Sequence, residues 1–211
     1  MIFGKIDYLN LLPFNVFIKR HMRSLRLHSS IHYKKGTPSQ INSAFKRRKV
    51  DAAFISSIES KKYHCLDLGI VAQKEVMSVL VLPGIDKPDS ASATSNVLAK
   101  QLNLQGEVII GDRALKHYLK TKEGIDLAQV WYDKHKLPFV FARLCSHKRR
   151  CSLNKLAKKF KSDHVKIPYY LIKKASVESD ISIQDIHHYL TKISYSLSYK
   201  EKKSLKKFLY P

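Results

Sequence analysis

Across the first eighty residues the apolar pattern switches repeatedly between a two-residue and a helical period. This alternation narrows the possible folds more than any other feature. Ile2–Ile6 reads as a short strand, Asn15–His21 as a short helix and Leu27–Tyr33 as a second strand. Gly36-Thr37-Pro38 is a helix start, with Thr37 as the cap and Pro38 in the first helical position. That helix is predicted to run to about Arg48, with Ile41, Ala44 and Phe45 facing inward. Val50–Ile55 is nearly all apolar, as a strand buried on both faces must be. A short helix over Ser56–Lys61 follows, then strands at Leu68–Ala72 and Met77–Leu82, closed by Pro83-Gly84. Repeated strand–helix–strand units predict an α/β fold on a parallel or mixed sheet. Ligands in such sheets sit beyond the carboxyl ends of the strands. Those ends carry Asp7–Asn10, Gly36-Thr37 and Ser56-Ser57.

The rest of the chain reads as a second unit and a return. Ser90–Ser95 leads into a helix through Val97, Leu98 and Leu102, and Glu107–Ile110 is a strand ending in Gly111-Asp112-Arg113. Leu137–Ala142 is another strand. From Ser146 onward the pattern is mostly helical, with Ile183, Ile186, Leu190, Ile193 and Leu197 at helical spacing. At 211 residues and 44% hydrophobic content the chain can bury a core as one unit or two small lobes. No apolar run approaches the ~18 residues of a membrane span. Lys5 and Asp7 interrupt the N-terminal apolar stretch and no small-residue cleavage site follows, so a secretory signal is not expected. Cys65, Cys145 and Cys151 form no C-x-x-C pair and are expected to be reduced, in a cytoplasmic protein.

Lys and Arg number 39 against 17 Asp and Glu, a formal charge of +22. Such an excess attracts polyanions. The charge is spread, however, with small clusters at Lys46–Lys49, Lys148–Arg150 and Lys202-Lys203, and neither zinc-finger spacing nor an aromatic RNA-binding box is present. Specific nucleic-acid binding is therefore not expected. A positive field that draws in a small anion, or a plain solvated face, accounts for the same composition. The histidines, among them His21, His28, His32, His64 and the adjacent His187-His188, show no metal-ligand spacing.

The blocks Gly4-Lys5-Ile6-Asp7-Tyr8-Leu9-Asn10-Leu11-Leu12-Pro13, Gly36-Thr37-Pro38 with Asn42, and Asp51 through Ile55-Ser56 with Glu59 occur in that order. Ser78, then Ser92, Thr94 and Ser95, then Ile110-Gly111-Asp112, then Trp131 with Leu137–Ala142 continue the series. Together they resemble the MqnA family, the chorismate dehydratases of the futalosine route to menaquinone. The resemblance implies a two-lobed, periplasmic-binding-protein-like (type II) fold, and a lyase that acts on chorismate with no metal, flavin or nucleotide. Lobe one would take residues 1–82, lobe two 83–142, and a mostly helical part, 143–211, would return to lobe one. The short connection from Ser95 to Gly111 implies a trimmed second lobe. A solute-binding protein for a small anion is the alternative from the same fold, and a basic nucleic-acid-binding protein the alternative from charge alone.

The resemblance makes Asn10 the candidate catalytic residue, since an amide can both donate to and accept from a departing hydroxyl or a carboxylate. Asn10, Thr37, Ser56, Ser78, Ser92, Thr94 and Ser95 are the candidate substrate-binding residues. The Ser92–Ser95 helix start offers free N–H groups, hydroxyls and a positive dipole end to one of the two chorismate carboxylates. Glu59 and Asp112 also match the family, but an anion beside a dianionic ligand is unfavourable, so structural roles are expected for both.

Overall fold

The computed structural model describes residues 1–24, 31–148, 151–162 and 165–211. In chain order its elements are β1 (Ile2–Lys5), α1 (Leu12–Ser24), β2 (His32–Lys35), α2 (Pro38–Lys46), β3 (Ala52–Ser56), β4 (His64–Ala72) and β5 (Val79–Leu82). Then come α3 (Ala93–Gln101), β6 (Glu107–Ile110), α4 (Gly111–Thr121), β7 (Ile125–Asp126), α5 (Leu127–His135) and β8 (Phe139–Ser146). The chain closes with α6 (Cys151–Ser162), α7 (Tyr169–Ser179), α8 (Ile183–Thr191), β9 (Ile193–Ser196) and α9 (Tyr199–Leu209). Single 3₁₀ turns sit at Leu9–Leu11 and Glu59–Lys62.

Two sheets carry the architecture. The larger has the order β2-β1-β3-β8-β4-β9 and the smaller the order β6-β5-β7. In the larger sheet β1 pairs parallel with β2 and β3, whereas β8, β4 and β9 run antiparallel to their neighbours. The sheet is thus mixed, as the strand–helix alternation predicts. β3 is buried throughout, which explains its unbroken apolar run. At Gly4 an added Cβ would lie 2.8 Å from both the Ala53 Cβ and the Ile41 Cγ2, so β1, β3 and α2 approach this closely only with glycine there.

Several sequence expectations are corrected. The strand expected to close the first lobe, Val79–Leu82, is the centre of the small sheet, and Phe139–Ser146 lies in the large sheet between β3 and β4. The chain therefore passes between the sheets at Ala72–Val79 and again at His135–Phe139, not at the expected 82/83 and 142/143 boundaries. Periodicity identifies a strand without saying which partner its edges find. The second strand begins at His32, and Leu27–Ser30 lies outside the described residues. The helices α4 and α5 lack a sequence prediction; α4 carries Arg113, Lys116, His117 and Lys120 and only a thin buried stripe of Gly111, Ala114 and Leu115. Ile193 is not in a helix: α8 stops at Thr191, and Ile193–Ser196 becomes an edge strand on β4. Cys65 and Cys145 oppose each other on β4 and β8 and are joined as a disulfide, in place of the expected free thiols.

The first crossing is held by one carboxylate. Asp126 accepts the N–H groups of Val76 (2.8 Å) and Met77 (2.6 Å), and it also caps α5 through Ala128 (2.9 Å) and Gln129 (3.0 Å). Burial raises its pKa, and the four N–H donors oppose that shift. Met77 adopts φ +60°, a conformation unusual for a non-glycine residue. Trp131 on α5 fastens the other side: its Nε1 donates to Ser204 Oγ on α9 at 2.9 Å, and its ring meets Phe139 and Phe208 edge-on. Among the described residues no helix is long and apolar enough to cross a membrane.

Candidate active site

The Tyr8–Leu11 turn leaves β1 at its carboxyl end and carries Asn10 into the space between the sheets. The Asn10 carbonyl accepts the Tyr195 hydroxyl at 2.7 Å, which fastens the turn to β9. The Asn10 Oδ1 is buried and has no hydrogen-bond partner. A buried acceptor left open costs about 1–3 kcal/mol. Such groups concentrate where a ligand completes them. Tyr189 of α8 stands beside it, fully buried, its hydroxyl 2.9 Å from Ser78 Oγ. Burial raises the Tyr189 pKa; the hydrogen bonds from Ser78 and Asn10 pull in the opposite direction. Asn10, Tyr189 and Ser78 thus form one polar chain reaching from the first turn to the small sheet.

Gly111 and Asp112 complete this chain. The Gly111 N–H donates to the Ser78 carbonyl at 2.8 Å, and Asp112 accepts the Leu9 N–H at 3.1 Å. Gly111 has φ +68°, and a Cβ there would sit 2.8 Å from the Tyr8 ring. Desolvation raises the Asp112 pKa to about 6, against the lowering effect of its bond from Leu9. The sign follows directly. The folded state holds a proton that the unfolded state releases near pH 4, so this stabilisation is complete below the unfolded pKa and is lost as pH rises through about 6. For a buried carboxyl the difference amounts to about 3 kcal/mol. Denaturant melts of Asp112→Asn are expected to show a shallower loss of stability between about pH 4 and 6 than those of the parent. Parallel pH profiles would contradict this account.

The other candidate residues fall into separate groups. Ser56, at the end of β3, is held twice by Asn42 of α2: its Oγ accepts Nδ2 at 2.8 Å and its N–H donates to Oδ1 at 3.2 Å. Ser92 caps α3, accepting the Ser95 N–H at 3.2 Å and donating to Ser95 Oγ at 2.7 Å. Thr94 accepts the Ile58 N–H at 3.2 Å and so joins α3 to the loop after β3. Among the described residues no hydrogen bond joins the Ser92–Ser95 stretch to Asn10. Thr37 is exposed and serves the capping box of α2 with Gln40. Glu59 is exposed on its 3₁₀ turn. Sequence reasoning missed Tyr189 of α8 and Tyr195 of β9, because nothing local marks two tyrosines near the C-terminus as neighbours of residue 10. Asn42 had been noted only as a family match.

Removing the Tyr189 hydroxyl tests its part in placing Asn10 and Ser78. Tyr189→Phe is expected to lower kcat by about a hundredfold through misplacement of its neighbours, with KM little changed. An unchanged kcat would show that Tyr189 only fills space.

A cavity of about 950 Å³ lies on the other side of the Tyr8–Leu9 turn. None of the seven candidate residues lines it. The candidate residues are therefore the buried hydroxyls beside Asn10 and not the lining of this cavity. Among the described residues no group of three or more His, Cys, Asp or Glu could hold a metal ion.

Comparison with known proteins settles the family. A model described as menaquinone biosynthesis matches residues 1–102 and 87–210. A chorismate dehydratase of Campylobacter jejuni subsp. jejuni serotype O:23/36 (strain 81-176) is 47% identical over 214 residues, covering 99% of this chain and 96% of that protein. The chain belongs to the MqnA family of menaquinone biosynthesis. Solved structures agree on the fold at low identity. A protein from Archaeoglobus fulgidus matches with a TM-score of 0.64 at 13% identity, covering 98% of this chain and 94% of that one. A Candida albicans gene product described as having the generic periplasmic binding protein fold gives 0.56 at 13% identity, covering 99% and 89%. The alkanesulfonate-binding protein of Xanthomonas axonopodis pv. citri gives 0.58 at 8% identity, covering 99% and 89%. The MqnA chain thus has a periplasmic-binding-protein-like fold, and its second sheet has three strands.

Proposed function

We propose that this protein is a chorismate dehydratase, a carbon–oxygen lyase that converts chorismate to 3-[(1-carboxyvinyl)oxy]benzoate and water. The near full-length likeness to a chorismate dehydratase gives the reaction. The observation that carries the reading onto this structure is the buried, unpartnered Asn10 Oδ1 in the polar chain between the sheets.

The reaction removes the proton on the ring carbon that bears the enolpyruvyl ether and the hydroxyl on the neighbouring carbon. The electron pair of the broken C–H bond enters the ring, the C–O bond breaks, and the ring becomes aromatic. Aromatisation supplies the driving force, so the protein's task is orientation and stabilisation of the departing oxygen. No side chain near Asn10 is a strong base: Asp112 is engaged by Leu9 and is costly to charge where it is buried. The enolpyruvyl carboxylate of the substrate takes the proton and passes it to the departing hydroxyl, which leaves as water, while Asn10 fixes the geometry and hydrogen-bonds that oxygen. Ser78 and Ser56 contact polar groups of the substrate. The N-terminal end of α3, with Ser92, Thr94 and Ser95, faces a carboxylate.

Ser78, Thr94 and Ser95 are each about 1% exposed, so the substrate enters only when the two sheets part. The crossing at Val76–Met77, gripped by Asp126, is where that movement is accommodated. The positive charge of the chain favours approach of a dianion. The reading places the protein in the cytoplasm and requires neither nucleic acid nor a membrane.

The test is incubation of the purified protein with chorismate, without added metal or cofactor, and mass detection of a product lighter by one water. Chorismate bound but unchanged would move the reading to a solute-binding protein. Salt-sensitive duplex binding without turnover would move it to nucleic acid.

A further inference from the structure

The cavity of about 950 Å³ is lined by β1, β2, α1, α4 and α7 and the turn after β1. Its apolar lining includes Leu9, Leu12, Val16, Leu171 and Ala175, and Tyr8 and Tyr33 line it too. Six cations belong to the same lining: Lys5, Lys19, Lys35, Arg113, Lys116 and Lys174. Three carboxylates, Asp7, Asp112 and Glu178, line it as well, which leaves an excess of three positive charges.

The cations differ in how firmly they are paired, and the side chain that partners Arg113 is only 8% exposed. Lys5 and Lys35 share Asp7, and Lys174 lies 3.7 Å from Glu178 on its own helix. Arg113 and Lys116 reach outward to Asp89 (3.3 Å) and Asp180 (2.8 Å). Lys19 has no ion-pair partner among the described residues. An exposed pair such as Lys174–Glu178 contributes about 0–1 kcal/mol, so a carboxylate that accepts from Lys174 replaces it at little cost. A hollow of this size lies within the usual range for small-molecule sites, and an apolar lining with a few charged groups is their usual construction.

We propose that this cavity is a second ligand site, which borders the buried hydroxyl chain at Asp112 but is lined by none of its hydroxyls, and that it takes an amphipathic organic anion with an apolar body and a carboxylate or sulfonate head. The body lies on Leu12, Val16 and Leu171, and the head meets Lys19 of α1 and Lys174 of α7 from facing walls. The Tyr8–Leu9 turn divides this site from Asn10, so each of the two sites has its own determinants.

The full chain titrated with anilinonaphthalene sulfonate should show saturable fluorescence enhancement with one equivalent bound. Lys19→Glu and Lys174→Glu, on different helices, should each weaken binding by about tenfold, since each brings a carboxylate to the head-group position. Ser78→Ala, in the buried hydroxyl chain, should leave probe affinity unchanged. Displacement by naphthoate identifies a flat ring as the preferred body, and displacement by decanoate identifies a chain. The proposal is overturned if binding is not saturable, if both charge reversals bind as the parent does, if Ser78→Ala abolishes binding, or if neither competitor displaces the probe.

Discussion

Asn10→Ala is expected to lower the rate of chorismate dehydration by about a thousandfold, the upper range for loss of one hydrogen-bonding group that acts in the transition state. The change in stability should be small, because two effects oppose each other. Removal of Oδ1 relieves a buried open acceptor, whereas removal of the amide N–H takes a hydrogen bond from Tyr189; the carbonyl that accepts Tyr195 belongs to the backbone and stays. Glu59→Gln supplies the contrast. Glu59 is exposed on a 3₁₀ turn away from the polar chain, and the variant should retain measurable turnover. Product formation followed by mass, with thermal melts of the same samples, reads both effects. Full activity in Asn10→Ala, with loss in Glu59→Gln, would overturn the assignment.

Trp131→Ala is the substitution expected to cost most stability, about 4 kcal/mol. Trp131 is 2% exposed and packs against His135, Phe139 and Phe208, so truncation opens a void among side chains from α5, β8 and α9. It also leaves the Ser204 hydroxyl buried without its donor. Trp131→Phe separates the two effects: it keeps most of the volume and loses only the hydrogen bond, for which about 1–2 kcal/mol is expected. Denaturant unfolding of the three proteins gives the comparison. Equal stability of Trp131→Ala and the parent would show that this contact does not join α5 to α9 as described.

Much of the large sheet was legible because its signals are local. The Thr37-Pro38 start, the inward face of Ile41, Ala44 and Phe45, and the apolar run of β3 each depend on residues a few positions apart. Ser92 was readable as a cap for the same reason, and it is one. Resemblance supplied Asn10, which no local rule would separate from an ordinary turn asparagine. The failures share a cause. That Val79–Leu82 belongs to the small sheet, that Phe139–Ser146 belongs to the large one, and that Ile193–Ser196 is a strand all depend on pairing across more than twenty residues of chain. The Cys65–Cys145 pair, 80 residues apart, became visible only once β4 and β8 were in register.

Composition and pattern alone established an α/β chain with a strongly positive field, and ordered motifs established its family. Where the site lies was decided by the packed structure. Tyr189 and Tyr195 reach residue 10 across nearly the whole chain. Asp112 joins the same turn through a single N–H. The basic cavity forms from α1, α4 and α7, segments with no sequence relation to one another. Side-chain periodicity records which face of an element is buried, but only chain crossings between the sheets determine what that face meets.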